Sequence, residues 1–447
     1  MRFPVIGKLI GLGVVVLALM VALQMVSGIV AERQSRLREA QASVADSMAA
    51  QQRLVGPMLQ RRCEERWDTV IGEGKDRRTV AERREFTLAA TPKSLDVDAS
   101  AGLEPRYRGI FKVNGYALKA KVSAQWADLV ALKPRAEHAP SQLACDAPVL
   151  LVAVGDARGL RQVALRVQGD PVDVRPGTPL KHLAQGFQAP LPATLVDAGA
   201  PVHAELLLEL VGTEALAIAP VGDSTRVQLS SDWQHPSFQG RFLPLERDVG
   251  PQGFKARWQL SALATSAPRE LLADAQQVES FGVAFIDPVN PYVLSDRATK
   301  YGLLFILLTF VGVGLVEVLG RLRVHPIQYL LVGCALAVFF LLLVSLTEHL
   351  AFGWAYLGAS AACTLLLAFY GTFVLGGWRA GALFGAALGG LYGALYLLLQ
   401  LEQTALVLGS LLLFAVLAAV MTATRRMDWY GLTAQWQGGE GREGRVG

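Results

Sequence analysis

No charged side chain interrupts residues 9–31, and the same apolar pattern returns over 326–347, 350–378, 380–401 and 403–424, with a shorter run at 301–316 that continues past Glu317. About 20 apolar residues in a helix cross roughly 30 Å of hydrocarbon, so the pattern predicts six transmembrane spans. Between the first and second lies a long polar segment with a different rhythm. In YALKAKVSAQW, Leu118, Ala120, Val122, Ala124 and Trp126 alternate with polar neighbours, and VHAELLLEL and FKARWQL behave alike, the period of half-buried strands. Pro- and Gly-rich breaks such as QGDPVDVRPGTP separate them. The expected fold is a membrane protein: six α-helical spans plus a large, mostly β, sandwich-like extracytoplasmic domain.

The first apolar run is longer than a signal peptide needs and no clean cleavage site follows, so it reads as a retained anchor. Beyond it Leu37, Ala40, Val44 and Met48 keep helical spacing, which extends the helix into water with one packing face. The predicted organisation is an anchor (1–31), a juxtamembrane helix (32–52), a β-rich domain (53–296), a five-helix bundle (297–424) and a tail (425–447). A faint echo between RYRGIF…YALKAKV and SFQGRF…FKARW suggests two lobes, 53–147 and 148–296, with chance similarity as the competing explanation.

At 52% hydrophobic and 18% charged residues, the composition also belongs to a membrane protein. The formal charge of +4 does not point to nucleic acid, because residues 31–300 hold 33 Lys and Arg against 32 Asp and Glu. The surplus sits in short loops and tails: Arg2 and Lys8, Arg321 and Arg323, Arg379, and Arg425, Arg426, Arg442 and Arg445. Cytoplasmic loops collect Lys and Arg, so both termini are expected in the cytoplasm and the large domain outside, in a periplasm if the cell has two membranes. Of four cysteines, Cys63 and Cys145 fall in the outer segment, where they are open to pairing. No CxxC or zinc spacing is present, and no cofactor is expected.

Several residues are candidates for chemistry. DWQHPSFQGRFLP (232–244) contains Asp232, His235 and Ser237, the residue types of a nucleophilic triad. In an extended chain His235 and Ser237 share a face with backbones roughly 7 Å apart, Asp232 points to the other face, and Pro236 disfavours a helix. Strand, turn and strand, with Trp233, Phe238 and Phe242 as core, is therefore the expected reading. VGDARG puts Asp156 and Arg158 just past a buried strand, where ligand loops occur; a turn with Asp156 bonded to nearby backbone is the plainer expectation. Ser295 and Asp296 read as the N-cap and first-turn acid of the second span. Arg297 and Lys300 then reach lipid phosphates or pair with acids, Glu32 or Glu39 on the other stalk among them. Glu317 is an intramembrane carboxylate with Arg321 four residues later and His325 near by, so pairing at the interface is expected. Glu348 and His349 lie at the opposite membrane edge. Gly377, Gly381, Gly385, Gly389 and Gly393 repeat every four residues, a face for close helix packing within the chain, with dimerisation to a homo-oligomer or a conduit as alternatives.

RLVGP (53–57), VGDARG (154–159), HPSFQGRFLP (235–244), LSDRATKYGLLF (294–305), HPIQYLLVG (325–333), SLTEH (345–349) and DWY (428–430) together resemble the CreD family of bacterial inner-membrane proteins. The resemblance implies a role in cell-envelope integrity and production under a two-component regulator in a stress response. It implies no settled activity, so no catalytic residues are carried over. The leading expectation is a non-enzymatic membrane protein in contact with the lipid bilayer and with envelope proteins or other envelope components. A transporter or export accessory comes second, and an envelope hydrolase or transferase third.

Overall fold

A computed structural model describes residues 4–71, 77–285, 287, 291–319, 322, 324–401 and 405–425. The chain separates into two units, Arg38–Pro288 on one hand and Met1–Leu37 with Val289–Gly447 on the other. Helix α1 (Pro4–Ser47) contributes to both. Its 44 residues make a rod of about 66 Å, twice what hydrocarbon requires. Ala40 and Val44 are buried and Leu37 and Met48 half-buried, as the helical spacing predicts, but the helix ends at Ser47 and strand begins at Gln52.

The strands follow the alternation. In chain order they are β1 (Gln52–Ile71), β2 (Arg78–Ala90), β3 (Ser94–Arg108), β4 (Phe111–Trp126), β5 (Ser141–Cys145), β6 (Val149–Ala153), β7 (Leu160–Val167), β8 (Asp170–Val172), β9 (Arg175–Pro176) and β10 (Gly186–Pro190). A short helix α2 (Thr194–Ala198) precedes β11 (Val202–Thr213), β12 (Ala215–Ile218), β13 (Ser224–Ser231), β14 (Ser237–Gly240), β15 (Glu246–Gly250) and β16 (Gly253–Ser261); α3 (Ala267–Leu272) and β17 (Phe281–Ala284) complete the unit. Eight strands run β15-β16-β13-β3-β4-β11-β7-β8; nine form a second sheet along β14-β17-β12-β1-β6-β10-β9, with β2 and β5 also paired to β1.

On β4 the predicted apolar positions are buried and Lys119 and Lys121 exposed. These inward residues share one core with the other sheet: Trp258 of β16 lies 5.1 Å from Phe281 of β17 and 5.8 Å from Phe238 of β14. Both sheets take strands from either side of residue 147, so 53–147 and 148–296 are not separate lobes. The parallel pairs β1–β12 and β13–β3 require this, since parallel neighbours need crossover connections. The echoed motifs differ too: RYRGIF spans the β3–β4 hairpin, whereas SFQGRF holds a short strand paired to β17. Cys63 and Cys145 face each other across β1 and β5 and form a disulfide.

In the other unit α4 (Pro291–Lys300) and α5 (Gly302–Leu319) are followed by α6 (Pro326–Thr347), α7 (Phe352–Val374), α8 (Trp378–Gln400) and α9 (Ala405–Thr424). Among the described residues four helices, α1, α6, α7 and α8, are long and apolar enough to cross a membrane, and α4 with α5, bent by 44°, would make a fifth if the pair counts as one. The sixth expected span is not established, because the fully described part of α9, Val407–Thr422, is shorter than a crossing needs. An aromatic knot holds the unit: Tyr392 packs 4.6 Å from Phe305 and 4.5 Å from Phe339, and donates its hydroxyl to Cys363 Sγ at 3.1 Å. Such internal partners are what hydrocarbon demands of a polar tip.

Candidate functional site

A concavity of the sheet unit lies on the nine-stranded sheet, a cleft of about 490 Å³. Strand alternation builds it. Leu54, Leu216 and Val283 point into the shared core, so Arg53, Ala215, Ala217 and Gly282 face the other way. The floor is therefore bare sheet. Gly282 is required there, since a Cβ would stand 1.9 Å from the Leu216 carbonyl oxygen. At one end Gly240 takes φ +91°, a left-handed conformation that favours glycine.

One wall is the segment His182–Gln185, and Asp274 holds it rigid. The Asp274 carboxylate accepts from Lys181 N at 2.7 Å and His182 N at 3.3 Å, and its carbonyl sits 2.7 Å from His182 Nδ1. A carbonyl only accepts, so Nδ1 carries the proton and Nε2 is left for other partners. Thr178 Oγ1 donates to the Leu183 carbonyl at 2.6 Å, fixing the far side of the loop. Among the described residues no hydrogen bond or ion pair engages the Arg53 guanidinium, and the lining residues include no carboxylate. Arg53, His182 and Gln239 escaped sequence reasoning. A signal was present: Arg53 is the lone charge between Asp46 and Arg61.

Asp156 and Arg158 form a structural clamp beside this region. Asp156 is buried and accepts from Ala50 N at 3.0 Å and from Arg158 N at 3.0 Å, and its Oδ2 meets Arg158 Nη2 at 2.7 Å. The guanidinium then donates to the Asp46 carbonyl at 2.6 Å, satisfying the C-terminal end of α1. The Arg158 side chain, against the opposing effect of burial, holds the Asp156 carboxyl down to about 2.

Asp232, His235 and Ser237 share no hydrogen bond among the described residues. Asp232 Oδ1 accepts from Leu103 N at 3.0 Å, the His235 carbonyl accepts from Trp233 Nε1 at 2.7 Å, and exposed Ser237 lies in β14 opposite Ala284. Trp233 is buried, Phe238 and Phe242 half-buried, as core. Sequence reasoning also missed Glu65, which in CEERW reads as part of a solvated charge run. It is fully buried, and its Oε1 accepts from Glu137 N, His138 N and Ser141 Oγ, each at 2.9 Å. The backbone bond from His138, more than any other contact, lowers its pKa despite burial. Its role is to anchor the loop before β5.

Among the apolar helices, Glu317 is buried at the end of α5 and pairs with Lys8 of α1; it also accepts from Tyr329 Oη at 2.9 Å and Val324 N at 3.2 Å. Arg321, the expected partner, lies outside the described residues. His325 does not join this cluster. It is the N-cap of α6, its Nδ1 accepting from Ile327 N at 3.3 Å in a capping box with Gln328. Glu348 pairs with Arg33 of α1 at 3.0 Å, while exposed His349 ends the turn after α6.

The expected cap at Ser295 and Asp296 is corrected: α4 starts at Pro291, whose fixed φ suits a first turn, so both residues sit inside the helix. Asp296 pairs there with Lys300 at 2.7 Å, one turn on, and Arg297 is half-buried on the same helix. Among the described residues Gln34 Nε2 of α1 donates to the Tyr292 carbonyl of α4 at 3.3 Å.

The glycine row divides in two. A Cβ on Gly381 would stand 2.5 Å from Thr372 Cγ2 and one on Gly385 2.6 Å from Ala368 Cβ, so these two admit α7. Gly389 and Gly393 meet nothing within 4 Å among the described residues and line an open groove of about 890 Å³ with Trp354 and Tyr396. Gly377 is the N-cap of α8.

Residues 4–430 match the family described as "Inner membrane protein CreD". The chain is 34% identical to Inner membrane protein CreD of Escherichia coli (strain K12) over 438 residues, covering 97% of this chain and 95% of the relative. A match along both the sheet unit and the apolar helices places the whole architecture within one family, and the chain belongs to the CreD family of inner membrane proteins.

Proposed function

We propose that this protein supports envelope integrity from the inner membrane without catalysing a reaction, its sheet unit acting in the periplasm by contact with envelope components. In this reading the bent pair α4–α5 is the second span and α9 the sixth, and both termini are cytoplasmic. The observation that carries it is the charge alternation of the short loops. Lys and Arg mark the start of α1, the α5–α6 connection, the start of α8 and the tail, whereas EHLAFG and LEQ have none. That order leaves the segment between α1 and α4, the whole sheet unit, on the outer side. The Cys63–Cys145 disulfide fits an oxidising compartment.

Cysteine labelling tests it. With Cys334 and Cys363 replaced by alanine, Asp170→Cys should react with a membrane-impermeant maleimide in cells whose outer membrane is permeabilised, and Arg323→Cys should not. Reaction at Arg323→Cys with none at Asp170→Cys would invert the topology and remove the periplasmic role.

A further inference from the structure

The cleft on the nine-stranded sheet has the features of a ligand site. Its volume of about 490 Å³ lies in the range of small-molecule sites. The floor of Ala215, Ala217 and Gly282 is flat and carries no bulky side chain, so an extended chain with small substituents can lie against it. The donors are arranged around that floor. Arg53 is a cation engaged by no carboxylate among the described residues, and Gln239 and Ser280 have side chains that form no hydrogen bond there. Gln185 uses only its Oε1, accepting from Ala157 N at 2.9 Å, which leaves its amide N–H groups to the cleft.

These groups select a ligand. A single guanidinium presents a planar fork that matches one carboxylate with two parallel bonds. A phosphate, with more charge, calls for more cations than the cleft supplies, since Arg53 is the only Lys or Arg among its lining residues. Glutamine side chains both donate and accept, which is the pattern of a peptide bond. We infer that the cleft binds a short peptide with small side chains and a free C-terminal carboxylate, Arg53 gripping the carboxylate and Gln239, Gln185 and Ser280 meeting the neighbouring amides. The inference deepens the proposal that the sheet unit acts by contact, giving that contact a chemistry.

The test uses full-length protein in detergent micelles and titration calorimetry with tri-alanine, its C-terminal amide and inorganic phosphate. Tri-alanine should bind saturably, and the amide about tenfold or more weaker, because a charge-assisted pair is lost. Arg53→Gln should weaken tri-alanine to a similar degree and Arg53→Lys less. Ala217→Leu should abolish binding by filling the floor with the charge intact, so a misfolded Arg53→Gln would not leave the idea unexamined. Equal binding of acid and amide, phosphate binding more tightly than tri-alanine, or no heat from folded wild-type protein would each overturn it. Calorimetry on purified protein is independent of membrane orientation, so failure here and inverted labelling are separate results.

Discussion

Asp156 shows how one side chain settles where a 44-residue helix stops. Its carboxylate orients Arg158, and Arg158 occupies carbonyls at the end of α1 that would otherwise lack partners. Asp156→Asn should therefore cost the sheet unit ~1–3 kcal/mol at neutral pH, read as a shift in its denaturant midpoint. The pH dependence has a definite sign. The folded carboxyl titrates below its ordinary value of 3.8, so its contribution is present at neutral pH and is lost as pH falls through that value toward about 2. In the asparagine variant this acid-dependent loss should be smaller. An unchanged acid transition would mean that the clamp does not stabilise the fold.

At the scale of elements, the α8 glycines separate two meanings of one pattern. Helices α7 and α8 approach too closely for a Cβ at Gly381 and Gly385, then leave an open groove at Gly389 and Gly393. Gly385→Val forces overpacking against Ala368 and should cost ~1–3 kcal/mol, lowering the thermal midpoint in micelles. Gly393→Ala should be nearly neutral, within about 0.5 kcal/mol. Equal sensitivity at both positions would show that the groove end is packed as tightly as the other. The four-residue period was legible from the sequence. Which glycines meet a neighbour was not, because that depends on the crossing of two separate helices.

For the molecule as a whole, the bond between Lys8 and Glu317 joins residues 309 positions apart and ties α1 to the other apolar helices. A buried charge that loses its partner is far more costly than a pair replaced together. Lys8→Met should lower stability in micelles by up to about 3–5 kcal/mol, and Lys8→Met with Glu317→Gln should recover most of that loss. A double variant as unstable as the sum of its parts would rule out the pairing. Arg33 with Glu348 makes a second such tie on α1, so removal of one leaves the helix attached.

The apolar runs and the strand alternation were readable because they are local. Hydrocarbon imposes a length, and a pleat imposes a period of two, on any segment that meets them. The residues of β4, the continuation of α1 past the membrane length and the core role of Trp233 all follow from neighbours within a dozen positions. The cleft, the disulfide and the partner of Glu317 do not. Arg53 faces an alanine floor only because β1 lies beside β12 and β12 beside β17, and Cys63 meets Cys145 only because β5 returns to β1. Such pairings join segments tens to hundreds of residues apart, chosen by the packing of two whole sheets around one core, and no local period encodes that choice.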